Sequence, residues 1–178
     1  MSSTTATSPQ ILPRVSRPAN EEIAAAREVI AHLNDYQSKN WGIGLNGSTF
    51  EPDGFLSFFT RRQLPFNYYV VNYGASIGSS AAYQENINTL ENYINELSQR
   101  ETEAVHTVIA QLEEYQSRFW AIGLNGDTLM PDDFNVFFAS RGLSFKPFVR
   151  STSGVNIGEE NAYEVNINTL HEYLSQVH

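Results

Sequence analysis

Tyr36-Gln-Ser-Lys-Asn-Trp-Gly-Ile-Gly-Leu-Asn-Gly47 returns later in the chain as Tyr115-Gln-Ser-Arg-Phe-Trp-Ala-Ile-Gly-Leu-Asn-Gly126. Asn86-Ile-Asn-Thr-Leu90 likewise returns as Asn166-Ile-Asn-Thr-Leu170. The shift is 79 positions from Val29 through Val70/Val149 and 80 from Gly74/Gly154 onward. One residue has therefore been gained or lost between Val70 and Gly74. A slip of this kind is tolerated best in an exposed connection, so a loop is expected there. The period far exceeds the ~20–50 residues of solenoid units, so the pattern predicts a duplicated domain.

Three helical signals recur in each copy. The first spans about Glu21 to Asn40, with Ala26, Val29, Ile30, Leu33 and Tyr36 on one face, echoed by Val105, Val108, Ile109, Leu112, Tyr115 and Phe119. This is the i, i+3, i+4, i+7 spacing of a half-buried helix. Asn46-Gly47 then marks a turn, with Asn46 suited to a left-handed backbone. The second helix is short and starts near Pro52 and Pro131, with Asp53 and Asp132 at its positive end. Thr49 is expected to cap it, Arg62 and Arg141 to match the dipole at its far end, and Gly142 to stop the second copy.

A β-prone stretch from Asn67 to Tyr73 follows, and the proline in its counterpart Lys146-Pro-Phe-Val-Arg150 demotes that copy to an edge or extended segment. A short hairpin, or pairing of the two segments across a symmetry axis, is expected. The third helix runs from about Ser79 to Leu97 along Tyr83, Ile87, Leu90, Ile94 and Leu97, matched by Tyr163, Ile167, Leu170, Leu174 and Val177. Ser98-Gln-Arg-Glu101 has the form of a capping box, which predicts a bend and a fresh helix start near Ser98. Asn86 and Asn88, uncomfortable inside a helix, are expected to hydrogen-bond a loop or the other repeat.

The fold class predicted is mainly α, with any α+β character confined to short extended segments. It consists of two tandem homologous three-helix units related by a pseudo-two-fold axis. Residues 1–19, rich in Ser, Thr and Pro, read as a disordered tail; residues 20–98 form the first helical repeat and 99–178 the second, packing as one globular body. The tail has arginines but lacks the amphipathic face of a transit peptide.

The net charge of −9 opposes binding to phosphate backbones, so no nucleic-acid partner is expected. No apolar run approaches the ~20 residues of a membrane span. The absence of cysteine and of a signal-peptide pattern leads to the expectation of a cytoplasmic location.

Catalytic signatures are not visible. His32, His106 and His171 align with Gln111, Arg27 and Glu91, and His178 ends the chain, so no histidine is kept between copies. The acidic residues of Asn125-Gly-Asp-Thr-Leu-Met-Pro-Asp-Asp-Phe134 do not fall at the ligand positions of a calcium loop. Ile43-Gly-Leu-Asn-Gly47 lacks the Lys and Ser/Thr of a phosphate loop, and no Gly-x-Ser-x-Gly elbow occurs. No cofactor or metal is expected.

The chain therefore reads as a non-enzymatic protein-interaction module, an adaptor or regulator, with a protein partner and homo-oligomerisation left open. One alternative is a binder of small apolar ligands, with pockets walled by Trp41 and Trp120 and by Phe58 and Phe137, closed by the turns at Asn46 and Asn125. Another is an enzyme with a single asymmetric site near His106 and His171. The extended segment that differs most between copies, with Tyr68, Tyr69 and Tyr73 against Pro147, Phe148 and Thr152, and Val71 against Arg150, is the expected contact surface.

Overall fold

The computed structural model describes residues 18–46, 50–72, 75–125, 128–152 and 154–178. The remainder of the predicted tail, Thr49 and Tyr73 lie outside them. The described chain is mainly helical, in the order α1 (Ala19–Lys39), α2 (Gly54–Arg61), β1 (Tyr69–Asn72), β2 (Ala75–Gly78), α3 (Ala81–Arg118), α4 (Asp133–Ser140), β3 (Val149–Arg150), β4 (Asn156–Ile157) and α5 (Ala162–Gln176). It forms two compact units, Glu21–Glu96 and Leu97–His178, the latter joined by Pro18–Asn20.

In the first unit, α1 ends where Asn40 takes a left-handed backbone, φ 55°. The Asn40 N–H donates to Gln37 O (3.1 Å) and the Trp41 N–H reaches back to Tyr36 O (3.0 Å). This is a Schellman stop, in which a side-chain contact across the last turn is expected. Trp41 supplies it by meeting the Tyr36 ring edge-on at 5.1 Å. The chain then runs extended, and Ile43 pairs with Tyr69 through two backbone bonds (2.7 and 3.1 Å). The left-handed turn expected at Asn46 falls instead at Phe50, φ 60°, whose N–H donates to Asn46 O (2.6 Å).

The N-cap of α2 is Asp53, which lies just outside the helix and not in its first turn. One carboxylate oxygen accepts from Leu56 N (2.9 Å) and the other from Gly44 N (2.6 Å), so one side chain fixes both the helix start and the preceding loop. Asp132 does the same with Asn135 N (3.0 Å) and Gly123 N (2.6 Å). Thr128, the counterpart of the expected threonine cap, instead accepts from Met130 N. Gln63 (φ 58°) and Gly142 (φ 70°) hold the left-handed position after α2 and α4.

Each extended segment forms a hairpin. β1 pairs antiparallel with β2, Val70 opposite Ile77 and Asn72 opposite Ala75, which leaves a two-residue connection. β3 pairs with β4, Val149 opposite Ile157, and Ser151 N donates to Val155 O (3.0 Å), which leaves the three residues 152–154. The single-residue slip is thus a two-residue against a three-residue hairpin, the latter with Gly154 at φ 91°.

Gly78 ends β2 at φ 73°, and a Cβ there would lie 1.8 Å from the backbone oxygen of Tyr68. Gly142 has a similar φ of 70° but open space around it. Gly142→Ala is therefore expected to lose only the ~1–2 kcal/mol of left-handed strain. Gly78→Ala must also displace the strand backbone and should lose clearly more. Urea unfolding of the two variants checks this, and equal losses would contradict the steric account.

The core of the first unit gathers Leu33, Ile43, Phe55, Phe59, Tyr83, Ile87 and Leu90. In the second unit Leu112, Ile122, Phe134, Phe138, Phe148, Tyr163 and Leu170 are buried. The expected break near Ser98 does not occur, because α3 is one helix of 38 residues. The two capping-box side chains are engaged elsewhere. Ser98 Oγ bonds His178 Nδ1 at 3.2 Å, and the Glu101 carboxylate is taken by Arg141 and Tyr173. With no Gly or Pro to interrupt it, the helical ladder continues.

Candidate binding groove and the clasp beneath it

Burying a charge is costly unless it is paired and fully hydrogen-bonded. Glu22, on the inner face of α1, is buried and meets both conditions. Its carboxylate receives Arg62 Nε and Nη2, the latter at 3.1 Å, and the Tyr93 hydroxyl at 2.6 Å. Arg62 Nη1 donates to Phe58 O (3.0 Å), and the guanidinium lies 3.5 Å from the centre of the Phe58 ring. Arg62 thus contacts the end of α2, as its sequence position suggests, but its main partner is Glu22.

The second unit carries the same clasp. Arg141 Nε and Nη2 (3.2 Å) and the Tyr173 hydroxyl (2.6 Å) converge on Glu101, with Arg141 over Phe137 at 3.5 Å. Sequence reasoning missed Glu22, Glu101, Tyr93 and Tyr173. The available signal was identity, since all three positions of the clasp are the same residue in both halves of the sequence.

Tyr93 and Tyr173 are held protonated far above the usual phenol range, first by burial and then by the bond to Glu22 or Glu101 and its charge, with the arginine opposing in part. Tyr83 and Tyr163 are raised by burial, then by Tyr69 and Glu160 respectively. The unfolded chain releases these protons near pH ~10. The stabilisation is complete below that pH and is lost as pH rises above it, because the folded state then binds more protons. Urea midpoints are expected to hold steady up to about pH 9.5 and to fall steeply above about pH 10. Tyr93→Phe should make that fall shallower.

Phe58 rests on the clasp and forms one wall of an open groove of about 300 Å³, shared with Val29, His32, Tyr36, Asp53 and Phe55. Gly54 also lines it, beside open space, where a Cβ would meet nothing within 4 Å. Trp41 does not line this groove. It is half exposed, with Lys39 Nζ 4.5 Å from its ring centre, and acts as the stop of α1. Trp120 does the same after α3, against Tyr115 at 5.1 Å and under Arg118 at 4.8 Å. Of the residues expected to wall a pocket in the first unit, Phe58 lines this groove between α1 and α2 and Trp41 does not, while the turn expected to close that pocket lies partly outside the described residues.

The other predicted contact residues are spread over both units. Tyr68 is half-buried against Phe66, and Tyr69 packs on Tyr83 with rings 5.5 Å apart. Arg150 is exposed yet engaged: its guanidinium donates to Val149 O (3.0 Å), Ile157 O (3.3 Å) and Gly158 O (3.2 Å) and covers Phe148. Asn125, like Asn46, closes its turn through the backbone, its N–H donating to Met130 O (2.7 Å). Phe137 lies under Arg141.

Asn86 is fully buried and grips the Asn67 backbone from both sides, Nδ2 donating to O (2.8 Å) and Oδ1 accepting from N (2.9 Å). Asn166 holds Lys146 in the same way (2.9 Å each). Asn88, by contrast, is exposed and bonds only along its own helix.

His106 and His171 are exposed. His178 places its two ring nitrogens against the hydroxyls of Ser98 and Thr102 (3.2 and 3.0 Å). Among the described residues no group of three or more His, Asp or Glu side chains is arranged to hold a metal ion. No helix among them is long and apolar enough to cross a membrane. Comparison of the chain with protein-family models, curated proteins and solved structures found no match.

Proposed function

We propose that this chain is a tandem duplication of one three-helix unit, and that it works as a non-enzymatic protein-interaction module whose second copy makes the contact. Support for the duplication is the recurrence of the Glu–Arg–Tyr clasp, the asparagine grip and the aspartate cap at matching positions. These polar side chains are absorbed by the fold, so they leave little over for chemistry.

The observation that carries the binding reading is a divergence in polarity. Asn40, Glu51 and Ser57 of the first half correspond to Phe119, Met130 and Val136 of the second. These three are 51%, 62% and 56% exposed. They lie along the segment from the end of α3 into α4, beside Trp120 and Leu129, whose counterparts Trp41 and Phe50 are apolar and exposed as well. Three large exposed apolar groups in place of polar ones within a single stretch fit an interface core, which favours aromatic residues and Met.

The test is a photo-crosslinking amino acid at Met130, with the same group at Glu51 as control, in extract of the source cells. The reading predicts a discrete protein adduct from position 130 that excess unmodified chain displaces. Equal, diffuse labelling from both positions would overturn it.

A further inference from the structure

We infer that the groove between α1 and α2 of the first unit is occupied by this chain's own N-terminal segment, with Ile11, Leu12 and Val15 on its apolar walls. This inference is independent of the binding role given to the second unit.

Three observations support it. The first is chemical fit. The groove presents Val29, Tyr36, Phe55 and Phe58 as apolar surface. Within residues 1–17 the apolar side chains beyond the first few positions are concentrated in Ile11-Leu-Pro-Arg-Val15. A residue before proline favours extended backbone, the form in which a peptide can lie along a shallow groove, and Leu12 precedes Pro13.

The second is charge. Residues 1–17 contain two arginines and no carboxylate, so the net charge of −9 divides into +2 on this segment and −11 on the rest. Exposed Glu21, Glu28 and Asp35 recur every seventh position of α1, which places them along one line of the helix. Glu28 stands one turn from His32 and beside Val29, so this line borders the groove, while Lys39 pairs with Asp35 at its far end (3.3 Å). Asp53 adds a carboxylate on the opposite wall. Arg14 and Arg17 fit beside Glu28 and Glu21.

The third is reach. Along α1, Val29 lies about 15 Å and Tyr36 about 26 Å from Ala19, at ~1.5 Å per residue. An extended chain doubling back at Pro18 covers ~3.3 Å per residue, which puts Val15 about 10 Å and Leu12 about 20 Å along the same line. Leu12 and Ile11 then fall between the levels of Val29 and Tyr36. No slack has to be invoked.

Because the chain has no cysteine, Gln10→Cys takes a single nitroxide label. The inference predicts paramagnetic loss of NMR signal concentrated at Tyr36, Phe55 and Phe58, remote from the junction with α1. The tail substitutions Leu12→Asp and Val15→Asp together should restore those signals, without touching the folded units. Loss centred on the first turn of α1, fading along the helix and unchanged by the double substitution, would overturn the inference. So would loss at the groove that appears only when spin-labelled chain is mixed with isotope-labelled chain, since the occupant would then be a second copy's tail.

Discussion

Glu22→Gln is expected to lower the unfolding free energy by about 3–5 kcal/mol, as breaking one side of a buried ion pair does. The amide keeps the shape but removes the charge that neutralises Arg62, and its NH₂ faces guanidinium donors. Arg62 and Glu22 side chains are only 5% and 2% exposed, so water cannot take over. Arg141 and Glu101 are 18% and 9% exposed. Glu101→Gln should therefore lose less. Guanidinium unfolding of both variants gives the comparison. A Glu22→Gln, Arg62→Met pair should recover part of the single-variant loss, because no uncompensated charge then remains buried. A Glu22→Gln protein as stable as the parent would contradict the role given to the clasp.

The second large effect belongs to Asn86→Ala, for which about 2–4 kcal/mol is expected. Asn86 acts as a strand edge for Asn67, answering its N–H and its C=O together at 2.9 and 2.8 Å. Alanine removes both bonds and leaves a void in a position with no exposed surface. The segment it holds leads from α2 into β1, so the loss should also show as faster hydrogen exchange at Tyr69 and Val70. Loss of stability with unchanged exchange in β1 would assign the effect to the void alone.

The spans of α1, α2 and α4 were legible because they rest on local rules. The apolar spacing of α1, the aspartate before α2 and Gly142 after α4 each act within a few residues. The hairpins were legible in part, since the change of register between Val70 and Gly74 located their turns, while Pro147 hid the pairing of β3. The clasp was not legible, because Glu22, Arg62 and Tyr93 come from three separate elements, and identity at each position does not say which of the others it meets. The continuity of α3 was hidden for a related reason. Ser98 and Glu101 satisfy a local capping pattern, but distant partners, His178, Arg141 and Tyr173, claim both side chains. Trp41 and Trp120 read as pocket walls by residue type, whereas a Schellman stop places them half in solvent.

Under the proposed function, polar residues that recur hold the fold, and apolar residues that diverge make the contact. That division is tested most directly by measuring unfolding free energy and the Met130 photo-adduct together in two variants. For Glu22→Gln, the account predicts a large loss of stability with the adduct retained at temperatures where the protein is folded. For Phe119→Asn, Val136→Ser, which restores the residues of the first half, with the photo-crosslinker still at position 130, it predicts stability within about 1 kcal/mol of the parent and loss of the adduct. An adduct that survives in the second variant, or one that disappears in folded Glu22→Gln protein, would contradict it.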